Sequence, residues 1–198
     1  MANNNAPFGF RQAQGTGTTP SYELVEQLCD YNTAAIFSGD PVAHISDGTI
    51  AGATTSALPG TVPLAGIFIG CHYLSVSQKH VVWSNYWPGS DVASGNNVTC
   101  VVVTDPNAQW LAQSSGGSGL TQAMVGTAMQ FAYGTGSTST GQSGAYIDAT
   151  NTNNTATFPF RLNTLTRPVG TSGFTTGEYN QGIFAFNNVE TRVTTGAP

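Results

Sequence analysis

Charge is what this chain has least of. Asp, Glu, Lys and Arg make up 8% of its 198 residues, where an average soluble domain carries roughly a quarter. Lysine occurs once, as Lys79, and the other cations, Arg11, Arg161, Arg167 and Arg192, are scattered along a chain of net charge -5. With no basic cluster to neutralise phosphates, a nucleic-acid-binding role is disfavoured. Long apolar runs are missing too. Stretches such as "AGIFIG" are far too short to span a bilayer, and no basic start followed by an apolar segment marks a secretory signal. A soluble protein made in a cytoplasm is therefore expected, with no membrane partner. Cysteine is sparse: Cys29, Cys71 and Cys100 are an odd number without CxxC spacing. That pattern indicates neither a zinc site nor a disulfide framework, and three reduced, buried thiols are expected.

What fills the place of charge is Thr, Ser, Asn, Gln and Gly, with Thr alone occurring 27 times. β-Branched side chains suit a pleated surface, and Gly, Asn and Ser punctuate it, so the chain reads as all-β. "SYELVEQLCDYN" reads either as a helix capped by Ser21 after Pro20 or as a strand with Tyr22, Leu24 and Leu28 on one face and Glu26 as the exception, and the strand is favoured because everything after it reads β. Next come "AAIFSGDPVAHI", broken by a Gly-Asp-Pro turn, and "ISDGTI" with a hairpin Asp-Gly. Then follow "PLAGIFIGCHYLSV", "HVVWSNYW", "AQWLAQ" and "NNVTCVVVTDPN", the last with Val98, Cys100 and Val102 facing one way and Thr99, Val101 and Val103 the other. In "LTQAMVGTAMQFAYG", Leu120, Met124 and Met129 lie in reach of the core, and "AYIDAT", "ATFPFRLNTLTRPV" and "QGIFAFNNVETRV" supply the last strands. About nine or ten short strands at this spacing predict a single antiparallel β-barrel or β-sandwich, jelly-roll or tulip-like. Its expected bounds are residues 21–193, after an extended arm at 1–20 and before a short tail at 194–198.

The chemistry-bearing residues do not assemble into a catalytic signature. "GTGTTP" and "GTGSTS" lack the third glycine of GxGxxG, and Lys79 has no glycine-rich loop before it. "GQSGA" is one residue short of a GxSxG elbow, which weakens Ser143 as a nucleophile. Cys71 with His80, or Cys100 with His44, could pair in a cysteine hydrolase, against the simpler reading of buried thiols and turn-side histidines. Asp40, His44 and Asp47 in "GDPVAHISDG" could ligate a metal, but Asp before Pro and Asp before Gly are ordinary turn residues. No enzyme activity, cofactor or metal is expected.

Two stretches invite contact with a partner. "WSNYWPGSD" places Trp83, Tyr86 and Trp87 within five residues, either as core and subunit contact or as an aromatic platform for a sugar ring with Asn85 and Asp91 beside it. The opening "MANNNAPFGFRQAQGTGTTP" has one charge, Arg11, and no hydrophobic period. Ordering about twenty residues costs tens of kcal/mol, while burying Phe8 and Phe10 returns only about 3 to 6. The arm is therefore expected to grip a neighbouring subunit through Pro7, Phe8, Phe10 and Arg11, and a chain starting at Ser21 to fold with its melting temperature nearly unchanged.

"SGDPV", "GIFIGCHYL", "VVVTDPNAQWLAQ", "GSTSTGQSGAYID" and "YNQGIFAFNNVETRV" stand in an order that resembles the capsid decoration, or cement, proteins of tailed bacteriophages, over residues 7–193. The motifs are short and mostly structural, and the single lysine departs from the family pattern. The resemblance implies a β-rich protein without catalytic residues on the outer capsid surface of the virion, clamping neighbouring major capsid protein subunits as a homotrimer or, second, a homodimer. A carbohydrate-binding or adhesin module built on the tryptophan cluster is the alternative.

Overall fold

The computed structural model describes residues 3–14, 23–53, 63–166 and 176–192. Their strands run β1 (Arg11–Gln14), β2 (Leu24–Cys29), β3 (Ile36–Phe37), β4 (Pro41–His44), β5 (Ile50–Gly52), β6 (Gly66–Leu74) and β7 (Val81–Ser84). The order continues through β8 (Tyr86–Trp87), β9 (Val98–Val103), β10 (Gln109–Gln113), β11 (Ala128–Ala132), β12 (Tyr146–Asn153), β13 (Phe160–Leu165) and β14 (Gln181–Phe186). A single 3-10 turn at Gln122–Met124 interrupts them. Every named strand pairing is antiparallel. The "ISDG" hairpin forms as read, with His44 opposite Ile50 and Gly48 at φ 82°.

The strands make two six-stranded sheets and a two-stranded ribbon. The first sheet has the order β1-β10-β14-β13-β11-β12; the second has β2-β9-β6-β4-β5, with β7 also on β6. This is an all-β, sandwich-like arrangement, and among the described residues neither sheet closes into a barrel. One core lies between the sheets, where Trp110, Phe131, Phe160, Phe184 and Phe186 meet Ala43, Ile67 and Val103. A second core lies on the far face of the second sheet, where Phe68, Tyr73, Val98 and Val102 are covered by Ile36 and Trp87 of the β3–β8 ribbon. The predicted split of β9 is observed: Val98, Cys100 and Val102 join the second core, and Val103 the first.

The amino-terminal segment departs from its expectation. Gly9 N–H donates to Ala145 at 3.2 Å and Phe10 N–H to Gly39 at 3.0 Å, and β1 then pairs with β10, Gln12 opposite Trp110. Phe10 is buried in the first core, stacked on Phe160 at 4.2 Å and edge-on to Phe131 at 6.2 Å. Through Gln14 the segment therefore belongs to the domain, and Phe10 is spent on its own core rather than free to anchor in a neighbour. The backbone hydrogen bonds that the phenylalanines alone could not replace come from within the chain. Residues 15–20 and the tail at 194–198 lie outside the described residues.

Candidate functional site

The long strand β6 explains where an open surface arises. Its first half pairs with β4, Pro41 opposite Ile67, and its second half with β7, from Cys71 opposite Ser84 to Leu74 opposite Val81. A bulge at Ile69 separates the halves. The first half is covered by the opposing sheet through Ile67. The second half, with β7 and the adjoining ends of β9 and β2, carries the second core on one face only.

Register places one row across four strands on the other face: Leu28, Thr99, His72 and Trp83. Leu74 and Val81 form the next row, and Glu26 faces Val101 on the other side. Trp83 is 71% exposed, Leu74 57%, Val81 54%, Leu24 49% and Leu28 48%. An antiparallel sheet with one solvated face normally turns polar side chains outward, yet this face is apolar apart from Thr99, His72 and Glu26. His72 lies 4.2 Å from Trp83, ring to ring at 30°, and holds the indole over the sheet. Beside it a cavity of about 370 Å³ opens between Ile69, Gly70, Val101, Trp83 and Asn85. The hairpin carrying Trp83 is braced at its turn: Ser75 Oγ donates to Asp91 Oδ2 at 2.5 Å and Ser77 N–H to Asp91 Oδ1 at 2.8 Å. These two bonds, the hydroxyl's foremost, hold the Asp91 carboxyl below its ordinary range.

The three rings of the tryptophan cluster do not share a surface. Trp87 is fully buried, edge-on to Tyr73 at 5.1 Å, with Nε1 donating to the Thr33 carbonyl at 3.0 Å. Tyr86 is half-buried and stacks on Phe37 at 5.5 Å. Successive strand residues point to opposite faces, and the break between β7 and β8 at Asn85 separates Tyr86 from Trp83 further. The three-ring sugar platform and the expectation that Trp87 contacts a partner are thus corrected, because Trp87 is buried; of the three, Trp83 alone is on the open face. Asn85 is turned aside, its Nδ2 donating to the Thr140 carbonyl at 2.6 Å. At the amino terminus Pro7 and Phe8 are half-buried, and the exposed Arg11 guanidinium sits 4.8 Å over the Phe8 ring.

Other candidate residues have structural partners. Ser143 Oγ donates to the buried Asp40 Oδ1 at 2.5 Å and accepts from Ala145 N–H at 2.8 Å, while Phe37 N–H donates to Asp40 Oδ2 at 2.7 Å. Asp40 thereby ties the β3–β4 turn to the segment leading into β12. Burial pushes its carboxyl up to about 6 against those hydrogen bonds. Gly9 packs against the same Ser143, and at φ 74° a Cβ there would fall 2.6 Å from the serine Cβ. His44 contacts Glu190 through Nδ1 at 2.6 Å and Gln27 through Nε2 at 2.9 Å, and Asp47 accepts from Thr49 N–H and Oγ1. Asp40, His44 and Asp47 thus serve three separate contacts. All three cysteines are free and buried in the second core, with burial pushing Cys71 up to about 12.

Sequence reasoning found Trp83 but missed Leu24, Leu28, His72, Leu74 and Val81 as one surface. The signal was there: β2, β7 and β9 are apolar in both phases of the alternation, which one-sided burial does not require. Compared with known protein families, curated proteins and solved structures, the chain matches none of them.

Proposed function

We propose that the protein is a structural virion subunit that decorates the outer surface of a capsid and staples neighbouring major capsid protein subunits. The observation that carries this reading is the open apolar face built on Leu28, Trp83, Leu74 and Val81. Exposed apolar area of this kind, rimmed by polar residues, marks a surface meant for a protein partner. Its near lack of charge matches a surface that packs against neighbours rather than one that steers ions. On a shell the same contact is repeated many times, so a modest affinity per subunit is multiplied by valency, and a homotrimer multiplies it further. Binding only the assembled lattice stabilises it by mass action. The order of short motifs quoted above supports the same reading.

The test is a binding assay on expanded heads that lack this protein. Wild type should sediment with the heads and raise the temperature at which they come apart, and Trp83→Ala should lose most of that binding while folding normally. If wild-type protein stays in the supernatant at every concentration, the decoration reading fails. If Trp83→Ala decorates as well as wild type, the open face is not the contact.

A further inference from the structure

The strand β2 ends the second sheet, and its register identifies the backbone groups left over. Thr104 N–H donates to the Glu23 carbonyl at 3.1 Å, so Glu23 and Thr104 are a hydrogen-bonded pair. Bonded and non-bonded pairs alternate along an antiparallel ladder. With Leu24 opposite Val103 and no register shift along β2, Val25, Gln27 and Cys29 turn their N–H and C=O toward β9. Leu24, Glu26 and Leu28 turn theirs outward, and among the described residues no backbone group pairs with them.

Edges of this kind are usually blunted. Here β1 and β12 carry bulges and β5 has three residues. β2 is six residues long, regular, and exposed on both faces through Leu24, Val25 and Leu28, although β5 comes close to it and His44 of β4 meets Gln27 at 2.9 Å, so part of its length is flanked. Its one charge on the outward row is Glu26, with Glu23 just before it.

We propose that β2 accepts an extended segment of a partner protein as an added strand, with Lys or Arg opposite Glu26 and apolar side chains two residues to either side. A second copy of β2 does not meet that description. Antiparallel pairing that sets Leu24 against the second copy's Leu28 brings the two Glu26 carboxylates face to face, which is destabilising. Nor does β2 contain a cation. Main-chain hydrogen bonds would supply affinity and the Leu-Glu-Leu row the selectivity. In identifying the partner as the coat subunit the inference rests on the decoration reading; the strand chemistry stands apart from it.

The test uses the full chain and two capped seven-residue peptides, Thr-Val-Thr-Lys-Thr-Val-Thr and the same peptide with Glu at its centre, followed by amide spectra. The Lys peptide is expected to shift the amides of Leu24, Glu26 and Leu28 and to slow their hydrogen exchange. The Glu peptide should bind about fivefold more weakly, the size of an exposed ion pair and its reversal. Glu26→Lys should invert that order. Glu26→Pro removes an outward N–H without touching the β9 ladder, a change edge strands tolerate, and should bind neither peptide. Should the proline variant misfold, the charge reversal alone decides. Shifts on another surface, equal binding of the two peptides, or pairing of β2 with a second copy would overturn the proposal. Heads bound equally by wild type and a folded Glu26→Pro would reject strand addition while keeping decoration; peptide binding without head binding would do the reverse.

Discussion

His72 sits 4.2 Å from Trp83 on the neighbouring strand, so the most exposed large apolar side chain of the described residues is also a supported one. A ring that loses little freedom on contact costs little entropy to bury, which is what makes tryptophan a frequent hot spot. We expect Trp83→Ala to weaken partner binding by about 2 kcal/mol, roughly thirtyfold. At 71% exposure its loss should change stability by less than about 1 kcal/mol. Titration of capsids and a thermal melt on the same preparation check both halves.

Asp40 gives stability an unusual pH dependence. Its carboxyl titrates at about 6 in the folded chain against 3.8 for the ordinary group, because burial outweighs the bonds from Ser143 and Phe37. The folded state thus holds this proton more tightly. The stability it contributes is complete below the unfolded value and is lost as pH rises through about 6, about 3 kcal/mol in all. Going from pH 7.5 to 5 should raise the melting temperature by about 3 to 6 °C. Below about pH 4 the trend should reverse, because Asp47 and Asp91 are held low, by Thr49 and by Ser75 and Ser77. Asp40→Asn should flatten the rise between pH 7.5 and 5 in calorimetric scans.

The thiols offer a check on the second core. Cys71 is pushed up to about 12 by burial, and Cys100 is pushed up by its hydrogen bond to Cys29 and by burial. Thiolate is the reactive form, so almost none is present at pH 8 on Cys71 or Cys100, while Cys29, held lower by its hydrogen bond to Cys100, is shielded by complete burial. Alkylation of the native protein should be at least about a hundredfold slower than in denaturant, where three thiols should react. Fast labelling of Cys71 in the native protein would mean that the β3–β8 ribbon opens readily.

Fold class was legible because Thr, Val and Gly punctuation is local, as the Asp47-Gly48 hairpin illustrates. The two-layer burial was not, because β9 reads apolar in both phases and either phase could be core; Val103 and Val98 both are, on opposite faces. Alternation puts Leu28 on one face with Leu24 but does not say whether that face is covered, since whether the opposing sheet reaches that far is a matter of strand length in β6 and β7. Trp87 looked as available as Trp83. The two differ through the kink at Asn85, which no propensity marks.

Phe10 decides how the first residues should be understood. On composition alone the segment is an arm that the domain can do without. Inside the fold Phe10 is 2% exposed, stacked on Phe160, and followed by a strand that pairs with β10. Truncating a buried phenylalanine to alanine costs about 3 to 5 kcal/mol. Phe10→Ala should therefore lower the melting temperature by roughly 10 °C or more. A chain starting at Ser21 loses in addition the β1–β10 ladder and the bonds from Gly9 and Phe10 to Ala145 and Gly39. It should melt lower still, and the buried Trp110 indole, opposite Gln12 on the neighbouring strand, should become more accessible to a fluorescence quencher. A truncated chain that melts with wild type would show the opposite: that residues 3–14 lie on the domain without holding it together, and that the arm is available for a neighbour after all.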